Sequence, residues 1–326
     1  MKIDFHNHYF PEEYIRYLEK KDVKVELKKD ESGRLVVNLF NYTIPLLSPQ
    51  EQIGIMERLG VDIQVLSLPI PSIYLTEAQD ALESARMINN CFAEICEQYP
   101  QRFKSFACIP LQAGDAALKE LDRAINELRM NGVFLSTNIN GKPLNSSDFM
   151  PFFEEINRLE VPVLLHPVPS SGAEALYAQE YYLMILVGFP FETTLAATRM
   201  VFSGLFDRFR NIPLILSHMG GALPYLFERI DYGYRELEHC RAYISQPPSE
   251  YFKRFYYETA LSYHKPSMIC AYQSVGADHI LLGSDYPFVP PVLAQESISI
   301  IERLDLSSEE KEKIYHKNAQ RILKNL

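Results

Sequence analysis

Short, nearly continuous apolar runs recur along this chain, separated by segments whose apolar positions repeat every three or four residues. The runs are Ile3–His6, Asp62–Leu68, Phe103–Ile109, Gly132–Ser136, Pro162–His166, Leu214–His218, Phe255–Glu258 and Ile280–Gly283. Unbroken apolar character predicts strands covered on both faces, since a half-exposed strand alternates. Helical periodicity marks Ala78–Tyr99, Asp115–Asn131 and Ser147–Leu159. Strands alternating with helical crossovers predict parallel βα units, and eight of them predict a single α/β domain over residues 1–326, a (β/α)8 barrel of the TIM type.

Two segments interrupt the alternation. Residues 9–50 hold a charged run from Lys20 to Glu31, a turn signal at Ser32-Gly33 and an extended piece, Arg34–Phe40, which predict a small helix and hairpin inserted after strand 1 on the catalytic face. Residues 168–190, rich in Ser, Ala and Tyr, predict a long loop after strand 5 that helps to form the pocket. The apolar, aromatic-rich stretch Tyr177–Phe191 suits a pocket wall or a subunit interface. The tail Ser307–Leu326 predicts a helix capped by Ser307 or Ser308, with Glu309 and Glu310 in its first turn, that closes the barrel.

Composition narrows the function. A net charge of −10 and a pI near 5.4 leave no basic face for nucleic acid or an anionic membrane. No signal peptide opens the chain, and no run reaches the roughly 18 uninterrupted apolar residues of a membrane span. Cys91, Cys96, Cys108, Cys240 and Cys270 form no CxxC pair, so free thiols in a reducing cytoplasm are expected.

The chemistry gathers at strand ends. His6 and His8 point to one side of strand 1, and imidazoles about 7 Å apart along a strand can close on one metal ion. His166 ends strand 5, His218 ends strand 6 and Asp285 follows strand 8. These five residues take the C-terminal strand ends, where barrels place their active sites. Neutral imidazoles and a carboxylate suit a divalent cation such as zinc. His239, His264, His279 and His316 fall elsewhere and are expected to be surface or supporting residues.

At these residues the chain resembles the amidohydrolase superfamily, in the branch of aminocarboxymuconate-semialdehyde decarboxylase and related metal-dependent decarboxylases. The resemblance is carried, in order, by Ile3–His8 with Phe10-Pro11, Gly132–Gly141 (GVFLSTNING), Leu164–Pro167, Leu186–Ala196 (LVGFPFETTLA), Leu216–Arg229 (LSHMGGALPYLFER), Gly283–Phe288 (GSDYPF) and Asn318–Leu323 (NAQRIL). It implies His6, His8, His166 and Asp285 as metal ligands and His218 as a catalytic histidine beside the metal, with Asp285 also catalytic. Arg229 is implied to pair with a substrate carboxylate, for which a guanidinium is suited.

Three features depart from the branch. Val37–Tyr42 holds no arginine where relatives acting on a dicarboxylate place a second one. Met184-Ile185 stands where they carry a tryptophan. His6-Asn7-His8 replaces the Glu-x-His of many aromatic acid decarboxylases. No lysine ends strand 4, so one metal is expected, Zn2+ foremost with Mn2+ as the other candidate. The resemblance thus implies a carboxy-lyase removing CO2 from an unsaturated or aromatic small-molecule acid, working as a homodimer or larger homo-oligomer. A hydrolase or hydratase on the same site is the alternative, and a non-catalytic binding barrel is a further one.

Overall fold

The structure, a computed structural model, describes every residue except 22, 24, 40, 41, 170, 171, 173–179 and 324–326, and at 75 the backbone only. Eight parallel strands form the central sheet in chain order: β1 (Ile3–His8), β2 (Ile63–Ser67), β3 (Phe103–Cys108), β4 (Gly132–Ser136), β5 (Val163–His166), β6 (Leu214–Leu216), β7 (Tyr256–Glu258) and β8 (Ile280–Leu281). The ring closes from β8 and its following turn onto β1. Phe5 N–H donates to the Leu282 carbonyl at 2.8 Å, Asp285 N–H to that of His6 at 2.8 Å, and His8 N–H to that of Tyr286 at 2.8 Å. Helices cover the outside, among them α1 (Pro49–Leu59), α2 (Ala78–Gln98), α3 (Met150–Leu159), α4 (Phe189–Phe202), α5 (Leu223–Glu236) and α6 (Lys265–Val275). The (β/α)8 barrel is the fold that the apolar pattern predicts.

Two apolar layers follow from the strand parity. Side chains facing outward, such as Val133, Leu135, Val163 and Leu165, pack under the helices with Phe92, Phe153 and Met200. Those facing inward, Ile3, Phe5, Val65, Phe106, Phe134, Leu164, Ile215 and Leu281, fill the barrel as a packed plug. Phe5 and Phe106 meet edge to face with centroids 5.6 Å apart. The terminal helix seals the N-terminal end, where Ala319, Ile322 and Leu323 join this interior layer. Ser307 caps that run, accepting from Glu310 N–H at 3.2 Å while Glu310 reaches back to Ser307 N–H at 2.9 Å.

The first insertion contains the expected helix, Glu12–Glu19, but in place of a hairpin it forms a three-stranded antiparallel sheet of Glu26–Lys29, Leu35–Leu39 and Tyr42–Pro45. The charged run reads as loop, yet its second half supplies the solvent-facing edge strand, where Lys and Glu are common because they discourage edge-to-edge pairing. Much of the second insertion, including the start of Tyr177–Phe191, lies outside the described residues. Its remainder enters a helical run, Glu180–Phe202, kinked at Tyr181 and Tyr182, that is long and apolar enough by length and composition to cross a membrane. Ala197 and Val201 at its far end are buried on the barrel, whereas Tyr181, Leu186, Phe191 and Leu195 are exposed.

Candidate metal centre and active site

Strict alternation along β1 would put His6 on the opposite side from Phe5, outside the barrel. A β-bulge prevents this: β1 advances from Asp4 to Asn7 while β2 advances only from Gln64 to Leu66. The extra residue reverses the parity, so Phe5 stays in the apolar plug while His6 and His8 point inward one layer above it. Asp4 pins the kink, accepting from Gln64 at 2.9 Å, Ser284 Oγ at 2.7 Å and Ser284 N–H at 3.0 Å. Burial pushes its carboxyl up to about 6 against those hydrogen bonds.

Each of three imidazoles has its Nδ1 occupied by an acceptor. His6 Nδ1 lies 2.7 Å from Glu258 Oε1, and His166 Nδ1 lies 2.9 Å from the Pro167 carbonyl. His8 Nδ1 lies 3.0 Å from Ser67 Oγ, whose own proton goes to the Asn7 carbonyl at 2.8 Å. The acceptors hold the proton on Nδ1 and leave each Nε2 lone pair aimed inward. His6 Nε2 and His8 Nε2 are 3.0 Å apart, and Asp285 Oδ1 lies 3.3 Å from the first and 3.1 Å from the second. Donor atoms of His6, His166, His218 and Asp285 lie within 4.8 Å of one another. Lone pairs brought this close repel unless a cation stands among them, so the donor set fits one divalent metal ion.

The electrostatics carry the same demand for positive charge. Burial opposes a charge on His6, but Glu258 and Asp285 beside it outweigh that and push it up to about 10. Burial, reinforced by His6, pushes His8 down to about 4 and His166 well below the usual range. Burial alone would raise Asp285, yet hydrogen bonds from His218, His6 and His8 hold it well below the carboxylate range. Two buried carboxylates among mostly neutral imidazoles form a cation-seeking cluster.

Glu258, to which the sequence analysis assigns no role, is the main residue it missed. It is fully buried at the end of β7 and is also bonded by the backbone N–H of His218 and, at 2.7 Å, by that of Ala260. Gly283 makes room for it, because a Cβ there would stand 2.0 Å from Glu258 Oε2. The available signal was positional: Glu258 ends a predicted strand on the same rim as the histidines. Glu258→Gln turns one acceptor oxygen into an NH2 that faces the Ala260 or His218 N–H. We expect metal affinity to fall about 10–100-fold, read by metal content after dialysis, with the far-ultraviolet dichroism unchanged.

His218 and Asp285 both sit at positive φ, 52° and 60°. Non-glycine residues rarely adopt this, and strain of about 1–3 kcal/mol each is typical of functional turns. β6 accordingly stops at Leu216, two residues short of the predicted end, and the chain turns sharply through Met219 and Gly220. His218 Nε2 faces Asp285 Oδ2 at 3.7 Å, the oxygen other than the one beside His6 and His8. Its Nδ1 is buried without a hydrogen-bond partner among the described residues.

Above the cluster opens a cavity of about 1330 Å3 whose wall includes Tyr42, Phe189, Tyr225, Leu261 and Phe288. Phe288 packs on the His8 ring at 5.4 Å and on Tyr42 at 6.1 Å, tying the inserted sheet to the metal-binding rim. His264, expected to be a surface or supporting residue, is exposed and lines this cavity. His239 and Arg229 do not, and Arg229 is exposed on α5.

Barrel and rim together define a metal-dependent hydrolase-type scaffold, and the chain belongs to the amidohydrolase family, whose sequence profile matches residues 3–324. It is 31% identical over 297 residues to 2-amino-3-carboxymuconate-6-semialdehyde decarboxylase of Dictyostelium discoideum, covering 88% of this chain and 82% of that enzyme. With gamma-resorcylate decarboxylase of Polaromonas sp. it shares 32% over 299 residues, 86% of this chain and 88% of that one. The crystal structure of dihydroxybenzoic acid decarboxylase from Polaromonas sp. JS666, with bound manganese and the inhibitor 2-nitroresorcinol, superposes with a TM-score of 0.83 at 27% identity, covering 98% of this chain and 96% of that one. Identity alone therefore does not separate the muconate branch from the aromatic one.

Proposed function

We propose that this chain is a carboxy-lyase that removes CO2 from an aromatic or unsaturated carboxylic acid, with one divalent cation held by His6, His8, His166 and Asp285. The observation that carries the reading is the convergence of His6 Nε2, His8 Nε2 and Asp285 Oδ1, with donor atoms of His166 and His218 within 4.8 Å of those of His6 and Asp285, and with His6, His8 and His166 each locked through Nδ1. Mn2+ and Zn2+ both accept imidazole and carboxylate ligands, and the manganese in the Polaromonas structure supports the former. When bound, the cation supplies Lewis-acid stabilisation of charge on the substrate oxygens.

The chain's own residues would manage the proton. His218, partly open to the cavity with 11% of its side chain exposed, stands with its ring 4.9 Å from that of the fully buried His6. It delivers a proton to the carbon bearing the carboxylate while ionised Asp285 holds the ring in place through Oδ2. The carbon–carbon bond then breaks, its electron pair returns to the ring or enamine, and CO2 leaves. Proton transfer from a placed group contributes about 10²–10⁴-fold. Tyr42 and Phe288 orient the substrate's plane, and the apolar wall keeps bulk water from the reacting carbon. Arg229 would serve a substrate carboxylate only from beyond this chain's own cavity wall. The exposed face Tyr181–Leu195 is where a second copy of the chain would pack to give the homodimer or larger assembly.

The reading is tested with protein loaded with Mn2+ or Zn2+ and 2,6-dihydroxybenzoate among a panel of hydroxybenzoates and unsaturated acids. CO2 release with the ring hydrogen gained from solvent is expected. Incorporation of labelled water oxygen without CO2 would overturn it in favour of hydrolysis or hydration.

A further inference from the structure

The stretch Leu186–Ala196, one of those that carry the family resemblance, contains none of the proposed metal ligands and lies apart in sequence from His218. Its inner face nevertheless meets the turn that presents His218. Four residues in succession there stand at positive φ: His218 at 52°, Met219 at 56°, Gly220 at 71° and Gly221 at 64°. Side-chain-bearing residues keep such a conformation only where their surroundings over-determine it. One hold comes from inside the barrel, where Glu258 accepts from His218 N–H. The other comes from α4. Thr194, only 5% exposed, donates its hydroxyl to the Pro190 carbonyl at 2.8 Å and accepts from Ala222 N–H at 2.9 Å. The Pro190 carbonyl also lies against the end of the turn, since a Cβ at Gly221 would stand 2.0 Å from its oxygen.

Thr194, Ala197 and Val201 recur at helical spacing and are buried, so this face of α4 turns toward the barrel while Phe191 and Leu195 stay exposed. A hydroxyl suits the junction because it donates and accepts at once. Valine has nearly the same shape and does neither, which leaves Ala222 N–H without its acceptor. A misplacement of about 1 Å caused from a site remote from the chemistry can cost about 100-fold in rate. We propose that Thr194 is a positioning residue: it fixes the strained turn and so sets the place of the His218 imidazole. The inference rests on the reading above in giving His218 the proton, whereas the junction itself belongs to the fold.

Thr194→Val and Thr194→Ser are compared with the wild type, all loaded with Mn2+. The readouts are steady-state CO2 release from the acid of the panel above that turns over fastest, and hydrogen exchange of the peptide spanning residues 217–223. For Thr194→Val the expected result is a kcat about 10–100-fold lower, with KM and Mn2+ affinity within about threefold of the wild type. Exchange at the turn should be at least roughly tenfold faster. Thr194→Ser keeps the hydroxyl and should bring kcat and exchange back to within about threefold. Thr194→Ala, which also lacks the hydroxyl, replaces the valine variant should that one not melt cooperatively. A purely structural role would lower the melting temperature and leave the kcat of folded protein unchanged. Wild-type kcat in the folded valine or alanine variant, a lowered kcat with unchanged exchange at 217–223, a loss that tracks lost Mn2+, or no rescue by Thr194→Ser overturns the inference. The first of these leaves the decarboxylase reading standing. If the wild type adds water to a substrate and releases no CO2, that reading fails, and the same comparison on the water-adding reaction decides the inference. A wild type that turns over no member of the panel overturns both.

Discussion

Stripping the divalent cation with a chelator and removing the chelator by dialysis is expected to lower CO2 release by more than about 10³-fold, and adding Mn2+ back should restore it. The magnitude follows from what the cation replaces: stabilisation of developing charge in a dry site commonly supplies the largest single part of a rate enhancement. The same treatment should lower the melting temperature. A ligand at 1,000 times its dissociation constant stabilises the folded state by about 4 kcal/mol, and here it also relieves repulsion between Glu258 and Asp285, both almost wholly buried. Calorimetry with and without Mn2+ reads the second effect independently of turnover. Metal-free protein with full activity and an unshifted melt would sink the metal-centre assignment.

On the proposed reading Asp285→Asn should cost at least about 10³-fold in kcat, since it would remove a ligand oxygen and the anionic partner of His218 together. Asp285 is held ionised by three imidazoles, and a neutral amide in its place also puts an NH2 against one of them. Metal content and single-turnover CO2 release separate the two losses: retained metal with slow turnover isolates the proton-handling role, and loss of metal isolates the ligand role. Wild-type rates in a metal-loaded Asp285→Asn protein would exclude both.

Much of this was legible in the sequence because the barrel writes its strands as unbroken apolar runs and its chemistry as polar residues at their ends. His6, His8, His166, His218 and Asp285 stood out because histidine is scarce, with eight in the chain. Glu258 did not stand out because it is one of 42 acidic residues, and only the closed ring shows that it faces His6 across the barrel. The bulge in β1 was equally hidden. A run such as Ile-Asp-Phe-His-Asn-His reads as one alternating strand, and the change of parity appears only when its partner Gln64–Leu66 is laid beside it. The inserted sheet was half legible, since its charged edge strand lacks the apolar residues that announce strands buried on both faces.

The seam between β1 and the turn after β8 joins two parts of the chain that are made far apart in time. His8 and Asp285, whose side chains meet at 3.1 Å, are 277 residues apart in sequence. A chain leaving the ribosome presents His6 and His8 well before the carboxylate arrives. A chain cut short of Asp285 therefore lacks one donor of the proposed metal site, and cation capture would report closure of the ring.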